Sequence, residues 1–517
     1  MTRQNSASSS ASMQWRFEIV DEQDTIAFAR MIAPALHRGD LITLSGDLGA
    51  GKTALARALI RALTDDDRLD VPSPTFTLIQ TYETKNFPLL HCDLYRLRDP
   101  DELIELGFDD LSHESLTLVE WASHAPEVEL RTVLDIQLSL NAATLPEGRS
   151  LVVTAKATMS ERIKSVMDVV TLLAPIGWLS AERQMIAGDA SGRFFERLSK
   201  REKTAILMNA PKPIAGPVLR DGKTYRALAR LSDTLASFVV MARALRSEQV
   251  SAPEIYAADV ENGLALVEDF GLEGIVKDQI PLSERYHEAV SVLARLHSRT
   301  LPERIQSGIM EYYFLPLYDL EPLLTEVELF LEWYHPAFSK SSLSDEARAQ
   351  FINIWKDLIE PCLRDRQTWT LRDFHSPNLF WLAHREGDRR IGVIDIQDSV
   401  YGHPAYDLAS LLQDARVPIP ETLELELIKH YADMREAADP SFALDPFLHA
   451  YAIYGAQRVT KILGIFVRLD RRDHKPDYLK HLPHMRAYLK RNLSYPALAP
   501  LKNWFLMFVP DLFEGTS

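Results

Sequence analysis

The spacing of apolar positions divides the chain into stretches of different character. Over residues 17–157, short β-rich runs at 41–45, 89–93 and 116–120 alternate with helical stretches such as 53–63. That alternation predicts one α/β layer domain. Two further strand-like runs, 132–140 and 150–155, flank Pro146 and Gly148 and read as a closing hairpin. Residues 159–179 then carry helical spacing, read as a linker or connecting helix over 158–178. Beyond it, strand-like segments continue to about Asp269. Longer helical patterns follow at 283–297, 323–334 and 345–362, predicting a small β-rich lobe before a larger helical one. No fixed-period repeat joins the halves.

Composition sharpens this picture. At 517 residues the chain exceeds what one hydrophobic core usually supports, so at least two domains are expected. Residues 1–16 are rich in Ser and lack an apolar stretch, and are expected to form a disordered extension rather than a signal peptide. No apolar run approaches the roughly 18 residues of a membrane span. Cys92 and Cys362 are too few and too distant for a disulfide framework, which points to a reducing, cytoplasmic setting. The formal charge of −16 opposes nonspecific attraction to phosphate backbones, so any RNA role is expected to be indirect.

The first chemical motif is Gly46-Asp47-Leu48-Gly49-Ala50-Gly51-Lys52-Thr53, set between a strand and a helix. It matches G-x-x-x-x-G-K-[ST]. Gly46, Gly49 and Gly51 let backbone N–H groups wrap phosphate oxygens, Lys52 can reach the β/γ-phosphates, and Thr53 can ligate Mg²⁺. Further along stand Ser73-Pro74-Thr75-Phe76, His91-Cys92-Asp93-Leu94-Tyr95-Arg96 and Glu120-Trp121. Together these segments resemble, over residues 17–157, the TsaE family of bacterial ATPases in tRNA threonylcarbamoyladenosine synthesis. The resemblance implies ATP hydrolysis in support of a TsaB/TsaD complex. It also implies a metal role for Asp93, a place near the γ-phosphate for the catalytic acid Glu120, and a switch-like loop containing Thr75. Tyr95 and Trp121 are expected to be packing residues. The segments at 73–76 and 120–121 argue against a generic P-loop small-molecule kinase.

The second motif is Asp373-Phe374-His375-Ser376-Pro377-Asn378, a D-x-x-x-x-N loop followed by the apolar run Val393-Ile394 that ends in Asp395. Asp373 would orient or deprotonate an acceptor hydroxyl while Asn378 and Asp395 hold Mg²⁺. With Gly402-His403-Pro404-Ala405-Tyr406-Asp407 downstream, this resembles the aminoglycoside phosphotransferase family, expected over residues 179–510 as a two-lobed, protein-kinase-like α+β domain. The segments 188–194, 207–211 and 266–271 resemble most its sugar-kinase branch, that of AmgK, which phosphorylates the anomeric hydroxyl of N-acetylmuramate and N-acetylglucosamine in cell-wall recycling. The resemblance implies a sugar acceptor, with Ser191 and Arg193 near the nucleotide and Glu268 at the hinge. Asp269-Phe270-Gly271 precedes the catalytic loop and so is not the metal-binding DFG. Asp407, His375 and His403 are expected to be structural. Met208 stands where most kinases carry a phosphate-binding lysine; Arg193, Arg197 and Lys203 are the candidates to replace its charge. The alternative is a regulatory or pseudokinase module fused to the ATPase.

Overall fold

The structure is a computed structural model that describes residues 12–140, 148–186, 192–339 and 341–513. It divides into two compact units, Met1–Pro175 and Ile176–Ser517. Among its described residues the first unit has seven strands: β1 (Ser12–Ile19), β2 (Leu41–Ser45), β3 (Ile79–Glu83), β4 (Pro88–Asp93), β5 (Leu116–Glu120), β6 (Leu134–Leu140) and β7 (Arg149–Lys156). They form one sheet in the order β1-β7-β6-β2-β5-β4-β3. The four central strands β6, β2, β5 and β4 run parallel, and the side chains of β2, β5 and β4 are nearly all buried because helices cover both faces of such a sheet. The hairpin expected near 132–155 is present as the antiparallel pair β6 and β7, whose connection at 141–147 lies outside the described residues.

Two expectations need correction here. Residues 12–16 are not part of a disordered extension, because β1 begins at Ser12 and pairs with β7 from Ser12↔Lys156 to Ile19↔Arg149. Trp15, Phe17 and Ile19 are buried and alternate with exposed Arg16 and Glu18, a period of two that a Ser-rich flank obscures. Residues 1–11 lie outside the described residues. The stretch read as a linker is the helix Ala157–Leu173, and it belongs to the first unit. Met159, Ile163, Met167 and Val170 enter the same core as Trp15, Phe28 and Leu55. Its Arg162 forks onto Asp40, with Nη1 at 2.8 Å and Nη2 at 2.7 Å from the two carboxylate oxygens, and Nη1 also donates to the Ala35 carbonyl.

The second unit opens with β8 (Glu182–Ile186), β9 (Phe194–Lys200) and β10 (Lys203–Asn209). A small hairpin follows, β11 (Val218–Arg220) with β12 (Lys223–Thr224), then the helix Leu235–Ser247, β13 (Ile255–Asp259) and β14 (Leu264–Glu268). The five longer strands make an antiparallel sheet in the order β13-β14-β10-β9-β8. The rest is mainly helical, organised around the 28-residue helix Leu444–Arg471. That helix crosses the junction where Leu320–Leu329 passes into the π-helical turn Phe330–Tyr334. Gly464 permits the crossing, since a Cβ there would lie 2.4 Å from the Leu329 carbonyl carbon. No described helix is long and apolar enough to cross a membrane.

Because Ile163 is fully buried in the first unit's core, Ile163→Ala is expected to destabilise that unit by about 2–5 kcal/mol. Calorimetric unfolding of the full chain checks this. A helix serving only as a connector would leave both unfolding transitions unchanged.

Candidate active sites

In the first unit the parallel register sets Leu44 beside Glu120 and Glu120 beside Asp93, so β2, β5 and β4 end on one edge of the sheet. The loop after β2 turns through left-handed backbone at Gly46, Gly49 and Gly51 and enters the helix Lys52–Thr64. Gly46 is doubly constrained: its φ is 135°, and a Cβ would lie 2.2 Å from the Leu138 carbonyl oxygen. Lys52 is buried and folds back on its own loop, donating to the carbonyls of Gly46 at 2.8 Å and Asp47 at 2.9 Å. Its ammonium stands 3.7 Å from the centre of the Trp121 ring. Trp121, expected as packing, therefore touches Lys52 directly. Burial lowers the Lys52 pKa, against the raising pull of Glu120, Asp93 and Asp47.

The acids on this edge are held by short polar side chains. Thr53 Oγ1 donates to Glu120 Oε2 at 2.9 Å, and the buried His91 Nε2 lies 3.0 Å from Glu120 Oε1. Asp93 Oδ2 accepts from Ser73 at 2.6 Å and from Thr75 at 2.7 Å, while Oδ1 accepts the Tyr95 N–H. The structure thus gathers Lys52, Thr53, Thr75, Asp93 and Glu120 into one site. A cavity of about 280 Å³ opens beside Gly46, between Thr43, Ser45, Trp121 and Asp135.

In the second unit Asp373 and Asn378 lie on a loop fastened from several sides. The buried Asp407 carboxylate accepts the N–H groups of Leu371 at 2.7 Å and Arg372 at 2.8 Å. Asp414 accepts the N–H and hydroxyl of Ser376. Arg372, at φ 65°, is buried and pairs with Glu326, donating also to the Ala229 carbonyl. Burial alone would raise Glu326, but Lys461 and Arg372 overcome it and hold the acid at about 2. Asp407 is structural, as the sequence suggests. His375, lowered to about 4 by burial and by Arg416, lies 3.9 Å from Asp373 Oδ1.

Asn378 Nδ2 donates to the Asp373 carbonyl at 3.0 Å and approaches Asp395 Oδ2 at 3.4 Å. Asp395 Oδ1 accepts from Gln397 at 2.7 Å and from Arg193 Nη1 at 3.0 Å. Burial and the nearby Asp373 push Asp395 up to about 6. The oxygen donors of Asn378 and Asp395 suit a hard ion such as Mg²⁺. The Thr53 hydroxyl with Asp93 offers the same donor chemistry in the first unit. Ser191 lies outside the described residues. Glu268 ends β14, but its carboxylate is taken by Arg385, by Arg246 and by the Glu254 N–H.

The sequence alone does not point to roles for His91, Ser73, Asp414 or the Glu326–Arg372 pair. His91 and Ser73 stand within local motifs, but each acts on a buried acid that only the fold brings within hydrogen-bonding reach. Glu326 had no local signal, being 46 residues from Arg372.

Comparison with known proteins assigns each unit. The family described as "Threonylcarbamoyl adenosine biosynthesis protein TsaE" matches residues 19–149, and the "Phosphotransferase enzyme family" matches residues 182–440. The "N-acetylmuramate/N-acetylglucosamine kinase" of Caulobacter vibrioides is 35% identical over 353 residues, spanning 65% of this chain and 95% of that protein. The kinase of the same name from Neisseria meningitidis serogroup B is 31% identical, over 51% of this chain and 77% of its own length. The "tRNA threonylcarbamoyladenosine biosynthesis protein TsaE" of Rickettsia felis is 38% identical over 120 residues, spanning 23% of this chain and 70% of that protein. The chain thus belongs to two families at once, with a TsaE unit in its first part and a phosphotransferase-family kinase unit in its second.

Proposed function

We propose that the chain is a bifunctional enzyme. Its first unit hydrolyses ATP in support of a TsaB/TsaD-type complex that places threonylcarbamoyl on adenosine 37 of tRNA. Its second unit phosphorylates the anomeric hydroxyl of N-acetylmuramate or N-acetylglucosamine. The observation that carries the second assignment is the gathering of Asp373, Asn378 and Asp395 in a chain 35% identical to a sugar kinase over nearly all of that kinase's length. Retention of all three polar groups disfavours a purely regulatory module.

In the first unit the N–H groups around Gly46, Gly49 and Gly51 would cradle the phosphates. Lys52 would exchange its loop carbonyls for phosphate oxygens. Thr53 and Asp93 would hold Mg²⁺, which neutralises phosphate charge when bound. With the Thr53 hydroxyl so engaged, Glu120 Oε2 becomes free to orient the attacking water, while His91 keeps the opposite oxygen fixed. Thr75 would register nucleotide state through its bond to Asp93. The net charge of −16 fits an indirect relation to tRNA.

In the second unit Asp373 would accept the acceptor hydroxyl's proton as that oxygen attacks the γ-phosphorus and ADP leaves. Asn378 and Asp395 would hold Mg²⁺ against the phosphates. Asp407, Asp414 and Arg372 keep the loop from yielding as charge develops.

Two outcomes follow. Glu120→Gln should reduce sugar-independent phosphate release by about 10²–10⁴-fold while nucleotide binding persists; undiminished hydrolysis would remove Glu120 from the reaction. Asp373→Asn should reduce ADP release dependent on N-acetylmuramate or N-acetylglucosamine by about 10²–10⁴-fold. A sugar-dependent rate that survives it would place the base elsewhere.

A further inference from the structure

The position of the usual phosphate-binding lysine is apolar on both sides of its customary ion pair. Met208 is 6% exposed and shares a core with Phe238, Val239, Met241 and Leu245 of the helix Leu235–Ser247. That helix, LASFVVMARALRS, contains no acid to pair with a lysine. The position and the helix packed on it therefore offer neither a lysine nor an acid to pair with one, and both sides serve as hydrophobic packing.

Three cations near this sheet are candidates for the lost charge, and the structure separates them. Lys203 is exposed at the far end of β10, five residues from Met208, so roughly 17 Å along a strand. Arg197 is committed to Asp269, with Nε 2.7 Å from Oδ2 and Nη2 3.2 Å from Oδ1. Arg193 remains. It immediately precedes β9, two residues before Phe195, the direct cross-strand partner of Met208. It therefore starts from the same end of the sheet as the absent lysine. Its side chain is 16% exposed and reaches across to Asp395, the acid that closes the catalytic set.

We propose that Arg193 is the phosphate clamp of this kinase and that, without nucleotide, it is parked on Asp395 in the place of a metal ion. This rests on the kinase reading of the second unit. On nucleotide entry the guanidinium moves from one carboxylate oxygen to the oxygens of the β- and γ-phosphates, and Asp395 is released to the metal. One arginine serves in turn as partner of Asp395 and as phosphate ligand. A forked, permanently charged guanidinium suits both partners, because carboxylate and phosphate present the same oxygen spacing.

The two roles predict opposite effects from one substitution. In a Lys52→Ala background, which removes the first unit's phosphate grip, Arg193→Ala and Arg193→Gln should weaken MgADP binding by about 10- to 100-fold, measured by calorimetry. In the same proteins without nucleotide, Mn²⁺ binding read by electron paramagnetic resonance should tighten about 3- to 10-fold, because a competing cation has left Asp395. Adding Met208→Lys should not restore ADP affinity, since that lysine has no acid to orient it. ADP affinity within twofold of the parent would overturn the assignment. Parallel loss of ADP and Mn²⁺ affinity in both variants would also overturn it, by marking Arg193 as a structural residue. Failure of the parent itself to bind ADP in its second unit would instead sink the kinase reading underneath.

Discussion

A charge withdrawn from water must be paired, and the arrangement of both sites follows from how that demand is met before any ligand arrives. Lys52 is satisfied by two carbonyls of its own loop and by the face of Trp121. Glu120 is satisfied by Thr53 and His91, Asp93 by Ser73 and Thr75, Asp395 by Arg193 and Gln397. Several of these partners are the groups that phosphate or metal would engage. Binding then becomes exchange of one set of hydrogen bonds for another, and the acids are already held at their working positions.

The second unit separates exchangeable contacts from permanent ones. The exchangeable pair, Arg193 and Asp395, joins the sheet's loop to the catalytic set. The permanent ones lie deeper. Glu326, fully buried, takes Arg372 and Lys461 at once, and Tyr318 donates to it at 2.6 Å. Asp407 and Asp414 fix the main chain on either side of Asp373. A buried carboxylate with several charge-assisted partners is rigid because each alternative geometry strands a charge. That rigidity places Asp373 without requiring any long side chain at the reacting end.

Much of this was legible in the sequence because the decisive residues are local to one another. The eight residues Gly46 to Thr53 contain the whole phosphate loop, and Asp373 to Asn378 the catalytic one. Strand 41–45 and the helix at 345–362 were readable from apolar spacing alone. The start of β1 was not, because its polar half faces outward next to a Ser-rich tail and its partner strand lies more than a hundred residues on. Nor was the allegiance of the helix Ala157–Leu173, since amphipathic spacing shows that a face is buried but not against which core. Glu268 is read from the sequence as a hinge residue beside the nucleotide, and the arginines that consume its carboxylate come from distant segments that local spacing does not reveal.

Each unit carries its own core and its own cluster of polar side chains, so on the proposed reading the second unit transfers phosphate to sugar without the first unit's chemistry. Phosphorus NMR of the full chain carrying Lys52→Ala, mixed with ATP, Mg²⁺ and N-acetylmuramate, tests this most directly. A sugar 1-phosphate resonance is expected, and it should disappear when Asp373→Ala is added. Inorganic phosphate as the only product, or a sugar phosphate that persists without Asp373, would contradict it.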